Sequence, residues 1–182
     1  MKNIFKSLMI VVLFVGLGSS AFAQLITSAN QAIDASATVM SDLTVEKVRD
    51  LSFGNVSANN SYSISSLDGT ADVPYAYTIG KLEVNGAGGA SVLVSWTADA
   101  FLTNSITSAT MTFAPEVYGN AYTIEQFGGT KIETTGTAYI LNNESTNGAV
   151  GRDYFYVGGD IDVPAGAVGT YKGTFTLTVA YN

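Results

Sequence analysis

Residues 163–182 read VPAGAVGTYKGTFTLTVAYN, and this closing stretch decides the fold class. From Thr174 onward the side chains alternate between two faces without interruption. One face carries Phe175, Leu177, Val179 and Tyr181, and the other carries Thr174, Thr176, Thr178 and Ala180. A period of two is typical of a half-buried β-strand. We therefore expect Phe175, Leu177 and Val179 to face the core, after a turn formed around Pro164, Gly166 and Gly169.

Short alternating segments separated by glycine-rich breaks continue towards the N-terminus. They include Ile33–Val39, Leu51–Phe53, Ala71–Ile79, Lys81–Val84, Ala90–Thr97, Ser105–Pro115, Lys131–Leu141, Tyr154–Val157 and Asp160–Val163. A sustained helical period occurs only near the N-terminus. The pattern predicts an all-β protein, a sandwich or a barrel, formed by one domain over residues 24–182.

Turn-forming residues predict where these strands end. Asn59–Gly69 is rich in Ser, Asn and Gly and predicts a loop, and Asn85–Gly89 predicts a hairpin turn. Tyr122–Phe127 and Lys131–Leu141 predict a further hairpin around Gly128 and Gly129. The sequence also predicts that Pro115 closes one strand and that Gly158–Gly159 separates two others.

The first 23 residues predict a signal peptide. Lys2 and Lys6 precede the apolar run Leu8–Leu17, and Ala21-Phe22-Ala23 fits a cleavage site before Gln24. The run is shorter than a membrane-spanning helix needs, so we expect no transmembrane anchor after cleavage. The mature chain would begin with a flexible segment, about 24–31, and be exported to the periplasm, the outer surface or the medium.

Composition narrows the range of functions. The formal net charge is −7, which disfavours nucleic acid and anionic lipid as partners. The chain has no His and no Cys, so thiolate chemistry, His-activated nucleophiles and common zinc sites are excluded. Asp160 and Asp162 would share one strand face, and we interpret them as a solvated edge. We expect no enzyme activity, no cofactor and no metal site.

Tyrosine is abundant, with 10 residues in the chain. Tyr75 and Tyr77 would share one strand face, as would Tyr154 and Tyr156. Exposed pairs of this kind can stack on sugar rings, whereas the alternative is that the rings pack at the margin of the core with wet hydroxyls.

Two blocks carry a resemblance to a known family. Residues 35–56 (ASATVMSDLTVEKVRDLSFGNV) and 156–182 (YVGGDIDVPAGAVGTYKGTFTLTVAYN) resemble the opening and closing patterns of the domain of unknown function family 4402. The resemblance implies an exported bacterial protein whose fold is an antiparallel β-sandwich of the immunoglobulin-like or pilin-like kind. The penultimate Tyr181, with Gly169 upstream, is also distantly similar to the terminal strand of chaperone–usher pilus subunits.

Together these observations predict a non-enzymatic structural or adhesive envelope protein, such as a fimbria-like or surface-layer subunit. Its copies, or other envelope subunits, would associate by strand addition, with Gly169, Phe175, Leu177, Val179 and Tyr181 forming the assembly or core strand. The alternative is a monomeric glycan-binding module that uses the tyrosine pairs. Whether Ile33–Val39 pairs within one molecule or between molecules stays open at this point.

Overall fold

A computed structural model describes residues 41–121, 127–143 and 150–182. The predicted signal peptide, the segment about 24–31, the strand Ile33–Val39 and most of Tyr122–Phe127 lie outside the described residues. The strands are β1 (Thr44–Arg49), β2 (Asn60–Ile64), β3 (Ala71–Asp72), β4 (Gly80–Gly86), β5 (Ser91–Ala98), β6 (Phe101–Asn104), β7 (Thr110–Ala121), β8 (Thr130–Lys131), β9 (Thr137–Ile140), β10 (Gly151–Val163), β11 (Tyr171–Lys172) and β12 (Phe175–Tyr181).

These strands form two antiparallel sheets within the described residues. The large sheet follows the order β1-β4-β10-β7-β6-β11, with β2 beside β10, β3 beside β2 and β8 beside β7. The small sheet has the order β12-β5-β9. The predicted all-β sandwich is confirmed.

One of the two buried apolar clusters lies between the sheets. Val84 and Phe155 of the large sheet pack in one buried cluster with Val92, Val94 and Leu177 of the small sheet. A second buried cluster contains Phe53, Ile64, Ile79, Met111, Phe113, Tyr156, Ile161 and Val163. Burial of such apolar surface is the main force that holds two sheets together.

The predicted hairpin at Asn85–Gly89 is wrong. β4 pairs with β1 and β10 in the large sheet, whereas β5 pairs with β12 and β9 in the small sheet. The glycine-rich connection therefore carries the chain from one sheet to the other. In the same way, Lys131–Leu141 divides into β8 of the large sheet and β9 of the small sheet.

The predicted strand ends at Pro115 and at Gly158–Gly159 are also wrong. β10 is one strand over Gly151–Val163 that runs through both glycines. β7 continues through Pro115 to Ala121. Along one edge of β7, the residues before Pro115 pair with β6 and the residues after it pair with β8. Among the described residues, Pro115 itself has no partner strand on that edge, so its lack of an N–H removes no hydrogen bond of the sheet there.

The predicted loop at Asn59–Gly69 contains β2, which is a further correction. β2 pairs with β10 from Asn60 to Ile64, and Ile64 is fully buried. Ser61 and Ser63 lie on the face of β2 opposite Ile64, and these serines explain why the composition of the segment resembled that of a loop.

Candidate assembly and binding surfaces

The C-terminal strand β12 lies at one edge of the small sheet. Phe175, Val179 and Tyr181 are half-buried and pack against the core cluster that contains Leu177, which is 8% exposed. The intervening Thr176, Thr178 and Ala180 are exposed. β12 thus presents one face to the core and the other to solvent.

Gly169 lies in the segment that precedes β11 and β12. Its φ is +91°, a value that favours glycine, and a Cβ at this position would approach the Asn104 side-chain nitrogen to 2.7 Å. That nitrogen donates to the Val168 carbonyl over 3.0 Å. Gly169 therefore lets this segment lie against the turn between β6 and β7.

The Tyr181 hydroxyl makes two long-range hydrogen bonds. It donates to the Ser41 carbonyl over 2.7 Å and accepts the Ala87 N–H over 2.8 Å. The end of the last strand is therefore joined to the connection after β4 and to the beginning of the described chain. This residue stabilises the sandwich itself, whatever further role the strand has.

Within the described residues, both edges of the small sheet have a strand partner on one side only. β12 pairs with β5 alone, and β9 pairs with β5 alone. An edge strand presents unpaired N–H and C=O groups, which is the chemical requirement for adding another strand.

The outward face of the small sheet carries no charged strand residue. Alternation and register place on it Ser91, Leu93, Ser95, Thr97, Ala138, Ile140, Thr176, Thr178 and Ala180. Leu93 is 44% exposed and Ile140 is 70% exposed. In a chain with net charge −7, this face can approach a second acidic copy with little like-charge repulsion.

An open groove of about 680 Å³ runs between the β12 side of the small sheet and the segment after β1. Phe175 and Leu51 both line it, and Phe53 and Ile161 contribute to its apolar lining. β1, the neighbouring edge strand of the large sheet, is exposed along its whole length. The small sheet therefore does not cover the large sheet at this edge.

The two predicted tyrosine pairs differ in exposure. Tyr75 is 63% exposed and Tyr77 is 38% exposed, and the Tyr77 hydroxyl donates to the Gly69 carbonyl. Tyr156, in contrast, is only 2% exposed. Tyr154 and Tyr156 therefore do not form a surface pair on which a sugar could stack.

A lysine explains the position of the second tyrosine pair. The Lys81 Nζ lies 3.4 Å from the ring centroid of Tyr154 and 5.7 Å from that of Tyr156. Lys81 itself is only 6% exposed. A desolvated ammonium over tyrosine rings is stabilised by the cation–π interaction, so this cluster is part of the structure of the large sheet.

Asp160 and Asp162 lie exposed on the outer face of β10. The two carboxylate oxygens of Asp162 accept hydrogen bonds from the Ser61 and Thr112 hydroxyls. Among the residues that the structure describes, no three His, Cys, Asp or Glu side chains come together as a metal site would require.

A buried polar pair was not predicted from the sequence. Asp153 is fully buried, and its carboxylate accepts hydrogen bonds from the Tyr139 hydroxyl at 3.2 Å and the Asn142 N–H at 2.7 Å. Burial raises the pKa of the Tyr139 hydroxyl, and the nearby Asp153 charge raises it further. The sequence contained a signal for this burial. Every second side chain of a strand points to the same face, and Asp153 belongs to the same alternating series as the core residues Phe155 and Val157.

Comparison with known proteins identifies the family. A family model described as Domain of unknown function (DUF4402) matches residues 43–181. The chain belongs to the DUF4402 family. The match runs from just before β1 to the last residue of β12, so it covers both sheets. The comparison with curated proteins finds no match.

Membership of the DUF4402 family confirms the resemblance that was inferred from residues 35–56 and 156–182. It does not extend to the pilus-subunit similarity, which remains a sequence observation on Tyr181 and Gly169. In the part of the chain that the structure describes, no helix is long and apolar enough to cross a membrane.

Proposed function

We propose that this DUF4402 protein is an exported, non-enzymatic structural or adhesive component of the cell envelope, and that its copies associate edge to edge through the small sheet. One observation carries the proposal. In the described residues, β9 and β12 are both open edges of a sheet whose outward face has no charged strand residue.

Edge-to-edge pairing would place β9 of one copy beside β12 of the next. Main-chain hydrogen bonds would supply affinity, and the alternating side chains would fix the register. Because the two edges are different surfaces, the contact is heterologous and repeats from copy to copy. A linear or layered assembly is the expected product, in agreement with a structural role in the envelope.

The absence of His and Cys supports the non-enzymatic part of the proposal. The apolar leader and the Ala21-Phe22-Ala23 site support export. The glycan-binding alternative through Tyr154 and Tyr156 has no support from their positions, since Tyr156 is buried.

A charge placed on the open edge tests the proposal. Ile140→Lys adds a lysine to β9 at a side chain that is 70% exposed, so the fold should tolerate it. Edge lysines oppose strand pairing, and we expect the weight-average mass measured by light scattering to fall towards that of the monomer.

Ile106→Lys is the matched control. It makes the same change of side chain and charge at a residue that is 92% exposed in the turn after β6, away from the small sheet. This variant should associate as the unchanged protein does. Equal association of all three proteins, or an equal loss in both variants, would exclude β9 as the assembly edge.

A further inference from the structure

A second surface lies on the outer face of the large sheet. Strand register places Phe101 of β6 opposite Thr112 of β7, Thr112 opposite Asp162 of β10, and Asp162 opposite Ser61 of β2. Residues directly opposite each other in antiparallel strands point to the same side of the sheet. These four side chains therefore form one row across four strands.

A shallow groove of about 430 Å³ follows this row. Phe101, Thr112, Asp162 and Ser61 all line it, together with Asn60. It is thus a concave surface that combines one aromatic ring with hydroxyl, amide and carboxylate groups. Ligand sites in proteins commonly have this combination of an apolar surface and a few convergent polar groups.

Phe101 supplies the apolar part of the groove. Its side chain is 51% exposed although phenylalanine has no polar group to hydrate. Exposure of such a ring leaves apolar area in water, which a ligand with an apolar face could cover.

Asp162 supplies a fixed acceptor. Its Oδ1 accepts a hydrogen bond from the Ser61 hydroxyl, and its Oδ2 accepts one from the Thr112 hydroxyl over 3.2 Å. An ionised carboxylate has about four lone-pair sites, so about two remain available to a ligand. The two hydroxyl groups fix the orientation of the carboxylate and therefore the direction from which a ligand can donate to it. Donors on the ligand, not acceptors, match this group.

We propose that this row is a binding site for a neutral saccharide. The apolar face of a sugar ring would pack on Phe101, while hydroxyl groups at the ring edge would donate to Asp162. Adjacent strands are ~4.8 Å apart, so Phe101 and Asp162 are separated by ~10 Å at the backbone, which leaves room for one ring between them. The charges of Asp162 and Asp160 would repel acidic saccharides.

This site is separate from the small sheet, and the proposal does not depend on edge-to-edge association. An open groove gives weak binding to a single copy, because little of the ligand surface is removed from water. Association would place many such grooves on one assembly, and their avidity would then exceed the affinity of one groove.

Chemical-shift titration of the ¹⁵N-labelled mature protein tests the site. The probes are oligosaccharides of glucose, galactose, mannose and N-acetylglucosamine, with an oligoglucuronate as the acidic comparison. We expect at least one neutral probe to shift the amides of Phe101, Thr112 and Asp162, and the oligoglucuronate to leave them unchanged.

Variants separate this groove from the tyrosine pair. Phe101→Ala and Asp162→Asn should each weaken binding of that probe by up to about tenfold. Tyr75→Ala, which removes an exposed tyrosine outside the groove, should bind as the unchanged protein does. The inference would be overturned if no neutral probe shifted these amides, or if Tyr75→Ala lost binding and both groove variants kept it.

Discussion

The buried pair of Tyr139 and Asp153 shows how single residues determine stability in this sandwich. The Asp153 carboxylate is removed from water completely, and such a group is tolerated only when hydrogen bonds replace its hydration. The Tyr139 hydroxyl and the Asn142 N–H supply two of these bonds. Tyr139 therefore has two roles: its ring packs in the core, and its hydroxyl donates a hydrogen bond to a buried charge.

The raised pKa of Tyr139 predicts a dependence of stability on alkaline pH. Because burial raises the pKa of Tyr139 in the folded protein above its usual value of 10.0, the stabilisation is complete below pH 10 and is lost as the pH rises further and the unfolded chain ionises. Above about pH 10, the free energy of unfolding of the unchanged protein should fall more steeply than that of Tyr139→Phe, by up to about 1.4 kcal/mol per pH unit.

Urea unfolding at a series of pH values measures this difference. Tyr75→Phe is the control, because Tyr75 is 63% exposed, and its curve should be parallel to that of the unchanged protein. At neutral pH, Tyr139→Phe should already be less stable by about 1–3 kcal/mol, since Asp153 loses a donor. Parallel curves for Tyr139→Phe and the unchanged protein would show that burial does not hold this hydroxyl protonated.

At the scale of elements, β10 explains why glycine misled the prediction. Gly158 lies in the middle of the strand because the end of β2 and the segment after it leave no room for a side chain there: a Cβ would overlap the Ile64 carbonyl and approach the Ser66 nitrogen to 2.9 Å. The glycine pair therefore permits close packing rather than a turn. Local sequence cannot distinguish these two uses, because the crowding atoms come from distant residues.

Alternation, in contrast, was reliable where one face is buried. In β12 every second side chain packs against the core, as its pattern of Phe, Leu and Val suggested. In β2 the same signal was present in Tyr62 and Ile64 but was concealed by two serines and an asparagine. The sequence predicted strands with strong apolar faces, and it could not predict which strands pair, because pairing depends on contacts between residues far apart in the chain.

The face of β12 gives a direct test at this scale. Leu177→Ala removes a side chain that is 8% exposed in the core, and we expect a loss of about 2–5 kcal/mol in the free energy of unfolding. Thr176→Ala, its neighbour on the exposed face, should change stability by less than about 1 kcal/mol. Chemical denaturation measures both, and similar losses would mean that the strand faces the core with the other side.

At the scale of the whole molecule, the proposed association depends on charge and on the exposure of sheet edges. Most of the surface of one copy repels another, since the chain carries 15 acidic and 8 basic residues. The outward face of the small sheet is free of charged strand residues, and its two edge strands have unpaired sides in the described residues. The proposed extension of this sheet would therefore bring few charged side chains of two copies together.

Hydrogen exchange at single amides tests this contact most directly. The Leu141 N–H donates to the Ala90 carbonyl and the Asn182 N–H to the Ser91 carbonyl. By alternation along antiparallel ladders, the amides of Ala138 and Ile140 on β9, and of Leu177 and Val179 on β12, point to the open edges. These amides should exchange slowly at high protein concentration, where copies associate, and rapidly in dilute solution, whereas the Tyr139 amide within the ladder should be protected in both. Association that leaves the exchange of these edge amides unchanged would contradict assembly through the small sheet.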